Sequence, residues 1–342
     1  MARIKFIWLP VSLLLLFAAG GLLSFQTLTG SSEAETGSVA VIISQPESTS
    51  YESAVVASND DYSGSQWAIP KTMVPQAWGI TSGEASVVIA VLDTGIDKGH
   101  EDLVGKVIAE VNFTGSPTAD DIYGHGTHVA GIIAATANND AGIAGMAYDC
   151  RLMNVKVADD YGIFSGYVVA KGVRWAVEHG ANVINISLFD AKPSRNLEEA
   201  IDYAWSKGVV VVAASGNCIG TKVAYPAYYS NCLAVAATDS NDCLASWSSW
   251  GDWVDLAAPG VDIYSTLPGD QYGSKSGTSM AAAHVSGLAG LLFALRSDKN
   301  SNGFINDEVR AAIEGGCDAV DPGTSRGRIN AFNAVNKALT SK

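Results

Sequence analysis

A serine follows a glycine where a loop becomes a helix: Ser276-Gly277-Thr278-Ser279-Met280-Ala281, followed by unbroken apolar helical spacing to Leu295. Gly277 lets backbone approach a ligand closely. Ser279 falls at or near the first helical position. There the backbone N–H groups have no intrahelical partners and the helix dipole places partial positive charge. An oxyanion suits that environment, which makes Ser279 a candidate nucleophile. The competing use of such a serine is as a helix cap. A nucleophilic hydroxyl needs a base, and the base needs a group to orient it. His125, in Gly124-His125-Gly126-Thr127-His128-Val129-Ala130-Gly131, and Asp93, in Val91-Leu92-Asp93-Thr94-Gly95-Ile96, offer those two groups. Taken singly, His125 also reads as a hydrogen-bonded core histidine and Asp93 as a turn cap. Taken together, the three supply nucleophile, general base and orienting carboxylate, in the chain order Asp, His, Ser.

These residues need elements to hold them. Val87-Val88-Ile89-Ala90-Val91-Leu92 is a continuous, mostly β-branched run, which suits a strand buried on both faces. It ends at Asp93, and polar loop is expected from there to Gly124. A small-residue helix is expected from His125 to about Ala137, and a strand over Leu152–Val157. A helix over Tyr167–Glu178, a strand over Val183–Leu188, a helix over Leu197–Ser206 and strands over Val209–Ala214 and Leu233–Ala237 follow. Strand and helix alternate, which predicts an α/β fold: a mostly parallel sheet with helices on both faces. Ligands bind such sheets beyond the carboxyl ends of the strands. Asp93 closes one strand and Ser187 another. Asn217 follows a third through Ser215-Gly216, while His125 and Ser279 open helices.

At 342 residues the chain can bury a large core, and its formal charge is −14. Such an acidic body repels nucleic acid and anionic membranes. Residues 1–25 read as a secretory signal: Arg3 and Lys5 start it, Phe6–Ala19 form its apolar run, and Ala18 and Gly20 give a small-residue cleavage context. The uncharged stretch extends to Phe25, so an uncleaved N-terminal membrane anchor is the alternative. Residues 26–60, rich in Ser, Thr, Glu and Ala with one apolar run at Val39–Ile43, read as a flexible leader or linker. The main domain is then 61–342. Five cysteines in an oxidising compartment lead us to expect pairing, with Cys218–Cys232 across a short loop as the first candidate.

The segments around Asp93, His125 and Ser279 resemble the three signatures of the subtilisin family of serine endopeptidases, in particular its thermitase-like branch. Ser215-Gly216-Asn217 is similar to the family's oxyanion segment, and the resemblance runs from about Tyr62 to Ala338. It implies a three-layer subtilisin-like fold and an enzyme that cuts protein or peptide substrates, working as a monomer. Carried onto this chain, Ser279 would attack the peptide carbonyl, His125 would move the proton, and Asp93 would hold the imidazole. Asn217 and the Ser279 N–H would hold the oxyanion, and His100, His128 and His284 would be structural. Substrate would add as a strand to edges at Ser187-Leu188 and near Asp160-Tyr161-Gly162.

This chain departs from the family in several places. Phe189-Asp190 replaces the usual glycine pair after Ser-Leu, which reshapes the pocket wall. Ala224 stands where a glycine often floors the primary pocket. Medium apolar or aromatic side chains are the expected preference. Ala282-Ala283 replaces Ser-Pro after the nucleophile, which suits a helix. The segment before residue 62 holds too little apolar sequence for the folded pro-domain of many relatives.

Calcium is the implied cofactor. Asn138-Asn139-Asp140-Ala141-Gly142-Ile143 resembles the family's strong calcium loop. Asn139 would give a side-chain oxygen, Ala141 and Ile143 carbonyls, and Asp60 and Asp102 carboxylates. Asp298 to Asn306 also reads like the first nine positions of an EF-hand loop, although Val309 holds the twelfth. The alternative is a polar loop with Asn306 capping a helix over Asp307–Ile313.

Two other readings compete. An α/β-hydrolase esterase needs an acid and then a histidine after its serine, and here only His284 follows, five residues on in the same helix. A catalytically silent binding protein would be expected to lack one of the three groups.

Overall fold

A computed structural model describes residues 54–340 except 219, 297, 321 and 322. The expected signal segment and most of the leader, including Val39–Ile43, lie outside the described residues. The last of the expected leader is part of the fold: the Val56 N–H donates to the Pro75 carbonyl at 2.9 Å, and Asp60 is buried.

Two short helices, α1 (Ala68–Lys71) and α2 (Val74–Trp78), precede the sheet. The sheet strands are β1 (Val88–Asp93), β2 (Val107–Asn112), β3 (Arg151–Lys156), β4 (Val183–Ile186), β5 (Val210–Ala214), β6 (Cys232–Thr238) and β7 (Leu256–Pro259). They form one seven-stranded sheet in the order β2-β3-β1-β4-β5-β6-β7, and every pairing is parallel. A small antiparallel hairpin, β8 (Ile263–Leu267) with β9 (Gln271–Lys275), lies beside it.

Successive strand residues point to opposite faces, and both faces are covered. Ile89 and Val91 belong to one core with Val129 and Ile133 of helix α3 (Gly126–Ala134) and with α6 (Thr278–Ala294). Val88, Ala90 and Leu92 belong to the other, under α4 (Gly166–Glu178) and α5 (Arg195–Ser206). This is the predicted three-layer α/β arrangement. Each fully buried Leu, Ile or Val contributes about 1.5–3 kcal/mol of transfer free energy, which is why the continuous apolar runs became the central strands. Helix α6 is buried from Thr278 through Phe293, so it is apolar on all sides and shows no polar face. Helices α7 (Asn306–Gly316) and α8 (Ala331–Thr340) close the C-terminal part.

Several expectations need correction. The stretch expected as polar loop after Asp93 contains β2, whose alternate residues Ile108 and Glu110 are exposed at the sheet edge, so it lacks a continuous apolar run. β7 and the hairpin were likewise not expected: β7 is only four small or apolar residues ending in proline, and the hairpin strands are short and mixed in polarity. Strand β4 stops at Ile186, leaving Ser187 and Leu188 just beyond it. Cys218 and Cys232 are not bridged; all five cysteines are free thiols. Cys232 is buried in β6 beside Val211, whereas Cys218 lies exposed after Asn217, so nearness along the chain did not become nearness of sulfurs. Asn306 does not cap α7. It is the first helical residue, and its amide donates to the Trp205 carbonyl at 3.0 Å.

Candidate active site

Asp93 ends β1 with its side chain fully buried. Its Oδ1 accepts from His125 Nδ1 at 2.7 Å and from the Thr94 N–H at 2.7 Å. The second bond fixes the carboxylate relative to its own backbone, so the imidazole meets a carboxylate that cannot swing. His125 precedes the first residue of α3. A methyl on Gly126 would stand 2.1 Å from the Gly95 carbonyl and 3.0 Å from Asp93 Cβ, so only glycine lets α3 begin this close to the end of β1.

Asp121 clamps the two segments together. Its Oδ1 accepts from Thr94 Oγ1 and from the Gly124 N–H, each at 2.8 Å; its Oδ2 accepts from the Thr127 N–H and hydroxyl, each at 2.8 Å. A buried carboxylate at the N-terminus of α3 is favoured by the helix dipole. Burial pushes the His125 pKa down, but the charge of Asp93 and its hydrogen bond push it up by more, so the net direction is above the ordinary 6.5.

Lys156 underpins the same strand end. It is the Cα partner of Asp93 in the β1–β3 register. Its fully buried ammonium donates to the Thr94 and Asp120 carbonyls and pairs with Asp160 Oδ1 at 2.9 Å. It therefore ties the Asp93 turn, the Asp121 loop and the Asp160-Tyr161-Gly162 edge. Gly162 lies against Tyr123, two residues before His125: a methyl there would stand 3.2 Å from the Tyr123 ring. Ile122, Tyr123, Tyr161 and Ile163 make this rim apolar and exposed.

Ser279 is the second residue of α6 and is 6% exposed. Its hydroxyl donates to the Ser187 carbonyl at 3.0 Å, and the Ser187 hydroxyl donates to the Ser279 carbonyl at 3.0 Å. In this conformation the imidazole of His125 bonds to Asp93 and the Ser279 hydroxyl to Ser187, so hydroxyl and imidazole are not bonded to each other. Behind Ser187, Asn185 Nδ2 donates to the Ser187 hydroxyl at 2.9 Å and Ser286 to Asn185 Oδ1 at 3.0 Å, a buried chain in which each polar group has a partner.

Asn217 Oδ1 accepts from the Thr278 N–H at 3.0 Å and the Thr278 hydroxyl at 2.9 Å. Its amide oxygen thus faces the N-terminus of α6, which directs Nδ2 the other way, past Gly277. The Gly216 N–H donates to Thr278 Oγ1 at 3.2 Å, so β5 and α6 are locked together at this point. The Ser279 N–H, at the second helical position, has no intrahelical carbonyl to bond. Asn217 Nδ2 and this N–H are two donors on one side of Ser279.

Leu188 and Ala224, expected to bind substrate, lie just beyond the strand ends or against them. Leu188 is nearly buried and lines a cavity of about 210 Å3 with Phe164, Ile186, Leu197 and Tyr225. Ala224 is buried against Gly216. Three other histidines, all buried, bond to backbone carbonyls. His128 bonds to the Gly273 carbonyl, His284 to the Met280 carbonyl and His100 to the Gln271 carbonyl. Burial lowers His128 to about 3 and His284 to about 4, so both are neutral.

Sequence reasoning missed Asp121, Lys156, Thr278, Asn185 and Ser286. The available signal was a polar residue inside an otherwise apolar run, as in Val183-Ile184-Asn185-Ile186 and Val155-Lys156-Val157.

Of the expected metal residues, Asp60, Asp102, Asn139 and Ile143 meet. Asp102 Oδ1 accepts from Asn139 Nδ2 at 3.0 Å, and its Oδ2 accepts from the Ile143 N–H at 2.8 Å. Asp60 Oδ1 accepts from the Asn139 N–H at 3.1 Å. Between Ala141 and Ile143, the Gly142 carbonyl accepts from the Tyr62 N–H at 2.8 Å, and a methyl on Gly142 would stand 2.0 Å from Asp102 Oδ2. Two buried carboxylates, an amide and backbone carbonyls on a glycine-tight loop are the oxygen donors that calcium takes. Among the described residues no group of three or more His, Cys, Asp or Glu side chains meets at one point. A cation here would therefore rest on two carboxylates and neutral oxygens. In the 298–309 loop Asp298 accepts from the Gly303 N–H, Asn300 from the Asn302 N–H and Asn302 from the Phe304 N–H, while Asp307 Oδ1 and Glu308 Oε2 are buried without a partner among the described residues.

A strand-end aspartate bonded to a helix-start histidine, with a serine at the head of another buried helix, supplies the groups that a serine hydrolase built on a parallel sheet uses. A profile of the subtilase family matches residues 84–327. Thermitase of Thermoactinomyces vulgaris is 46% identical over 282 residues, covering 81% of this chain and 98% of that protein. A thermophilic serine proteinase of Bacillus sp. (strain AK1) is 46% identical over 279 residues, covering 80% and 68%. Among solved structures, a protease from Pseudoalteromonas arctica PAMC 21717 aligns with a TM-score of 0.74 at 28% identity, covering 82% of this chain and 99% of that one. The chain belongs to the subtilase family of serine proteases, and is a serine endopeptidase.

Proposed function

We propose that the chain is a secreted endopeptidase of broad specificity that hydrolyses peptide bonds through an acyl-enzyme on Ser279. The observation that carries this is the 2.7 Å bond from His125 Nδ1 to the buried, doubly held Asp93, with Ser279 opening the neighbouring helix. That bond leaves Nε2 of the imidazole as the base. Ser279 Oγ releases its contact with the Ser187 carbonyl, gives its proton to Nε2 and attacks the substrate carbonyl. The C–N bond breaks as His125 returns the proton to the amine, and water repeats the sequence to release the acid. Asn217 Nδ2 and the Ser279 N–H stabilise the negative oxygen between these steps. The direct test is hydrolysis of a blocked peptide amide and of a denatured protein by the purified chain. Cleavage with release of the free amine supports the reading, and cleavage of esters alone sinks it.

Asn217 gives a graded prediction. Asn217→Ala is expected to lower kcat about 10²–10³-fold with KM little changed, the size found for the oxyanion asparagine in subtilisin itself and taken over from there. A raised KM with kcat unchanged would mean that Asn217 binds substrate and transition state alike rather than the transition state alone.

Substrate would lie as an added strand between the Ser187-Leu188-Phe189 edge and the Gly162 edge, its main chain pairing with both. Leu188, facing away from Phe189, offers a second side chain of the substrate the cavity beside it.

We also assign a structural calcium to Asp60, Asp102, Asn139 and the carbonyls of Ala141 and Ile143. Bound, it would cancel two buried carboxylate charges and pin the 138–143 loop. Burial raises the Asp102 pKa, although bonds from Ile143, Asn139 and Tyr272 and the nearby His100 offset part of that, so a cation would relieve the cost of ionising it. Saturating calcium at about 1,000 times its Kd adds about 4 kcal/mol of stability. Excess chelator is therefore expected to lower Tm by roughly 10 °C in a domain of this size, while Asp102→Asn removes the response. A Tm indifferent to chelator would refute the assignment.

No helix among the described residues is long and apolar enough to cross a membrane. We assign residues 1–25 to export and the segment after them to a leader before the peptidase domain.

A further inference from the structure

Beyond β4 and β5, the neighbouring segments Ser187–Asp190 and Ser215–Asn217 leave the sheet side by side. The first is fixed at both ends. Ser187 exchanges two hydrogen bonds with Ser279, each at 3.0 Å. Asp190 exchanges two with Tyr225: its N–H donates to the Tyr225 carbonyl at 2.9 Å, and it accepts from the Tyr225 N–H at 2.8 Å. The second segment is held by the Ser249 N–H on the Gly216 carbonyl at 2.8 Å and by Thr278 on Asn217. Both segments are bonded to the first turn of α6, and the Ala224 methyl lies against Gly216. On the endopeptidase reading, the gap between them would take the side chain next to an attacked carbonyl.

Phe189 occupies that gap. Alternation along an extended segment sends Leu188 to the cavity on one side and Phe189 to the other. A methyl built on Gly216 would stand 3.3 Å from Phe189 Cδ2, 3.3 Å from Ala224 Cβ and 3.3 Å from Ser249 Oγ. The aromatic edge therefore reaches across from its own segment to the opposite wall, one residue before Asn217. The pinned backbone on either side of Phe189 prevents the segment from backing away.

Resting on the endopeptidase reading, we propose that the Phe189 ring fills the primary specificity pocket and restricts cleavage to bonds after small residues, glycine, alanine or serine. A large side chain next to the scissile carbonyl meets the ring edge and the Ala224 methyl before its own carbonyl reaches Ser279. This narrows, at that one position of the substrate, the broad specificity proposed above, and departs from the preference for medium apolar or aromatic side chains expected from sequence. There the same phenylalanine was read as reshaping the wall, with no means of knowing that it crosses the gap.

The test uses a series of blocked peptide amides that differ only in the residue before the scissile bond, with enzyme concentration set by phosphonate titration. Wild type is expected to show kcat/KM at least about 10-fold higher for alanine than for phenylalanine, since steric terms of one or two carbons span about 10–200-fold. Phe189→Gly and Phe189→Ala are expected to raise the ratio of kcat/KM for phenylalanine or leucine to that for alanine by about 10-fold or more. The two variants guard against misfolding, as both must titrate and melt like wild type. Wild type that prefers phenylalanine or leucine overturns the proposal. So does a wild type indifferent to size whose preference is unmoved in both variants, which is the behaviour of a ring that swings aside freely. A chain that titrates with no phosphonate at all defeats the endopeptidase reading itself, a different result from either.

Discussion

Replacing Ser279 by alanine is expected to lower kcat by about 10⁶-fold while leaving the fold intact, the loss seen for the nucleophile in subtilisin and adopted from that case. It corresponds to about 8 kcal/mol of transition-state stabilisation. The size follows from what the residue does. Without Oγ no acyl-enzyme forms, and what remains is the pull of Asn217 and the Ser279 N–H on a carbonyl attacked by water. Binding should be spared, because the Ser187–Phe189 edge is held by more than Oγ: Ser187 still donates to the residue 279 carbonyl, and Asp190 still pairs with Tyr225. The pair of measurements is kcat on a peptide amide and Kd for an uncleaved peptide. A kcat loss smaller than about 10³-fold would show that Ser279 is not the nucleophile. A Kd that weakens in step with kcat would show that the hydroxyl was holding the edge.

The second large effect belongs to Asp93. Asp93→Asn is expected to cut kcat by about 10⁴-fold. Amide and carboxylate have nearly the same shape, so the loss reports charge and tautomer rather than packing. Its pH signature is more specific. For His125, burial alone favours the neutral ring, while the charge of Asp93 and its hydrogen bond outweigh burial and put the pKa above 6.5. Because the base must be neutral, kcat/KM in wild type should rise with pH through a midpoint above 6.5. In Asp93→Asn the two raising contributions from position 93 vanish, while burial and the Lys275 charge remain. The acid limb should then move to lower pH. A limb that stays put would show that Asp93 does not govern the imidazole. The sign for stability runs the same way: the native state of wild type holds the His125 proton more tightly than the unfolded chain does. That contribution is full below the unfolded pKa and fades as pH rises through the folded one.

The central strands could be read from sequence because a strand buried on both faces is apolar along most of its length, as β1 is up to Leu92 and β5 throughout. β2 escaped because it lies at the sheet edge with every second residue exposed, and the β8–β9 hairpin because its strands are short and half polar. The chemical groups at Asp93, His125, Asn217 and Ser279 were legible because parallel sheets place reactive side chains where strands end and helices begin. What fixes those groups was not. Asp121 looks like an ordinary surface charge in a sequence, and Lys156 only like an oddity in an apolar run; the fold shows both buried, Asp121 bonded to backbone N–H groups and hydroxyls and Lys156 to two carbonyls and the Asp160 carboxylate. The bridge expected between Cys218 and Cys232 failed for a related reason: loop length says nothing of which way a strand residue points. Phe189 stood out in the sequence as a departure, but its reach to Gly216 depends on how two strands diverge, which no local pattern encodes.

Covalent labelling by a fluorophosphonate, mapped by mass spectrometry after digestion, tests the central claim most directly, because phosphonylation demands the same convergence of hydroxyl, imidazole and carboxylate as catalysis. One equivalent of adduct is expected on the peptide that carries Ser279, with its rate falling at least about 10³-fold in His125→Ala and the adduct absent in Ser279→Ala. An adduct on another residue, or labelling of Ser279 at the same rate without His125, would contradict the account.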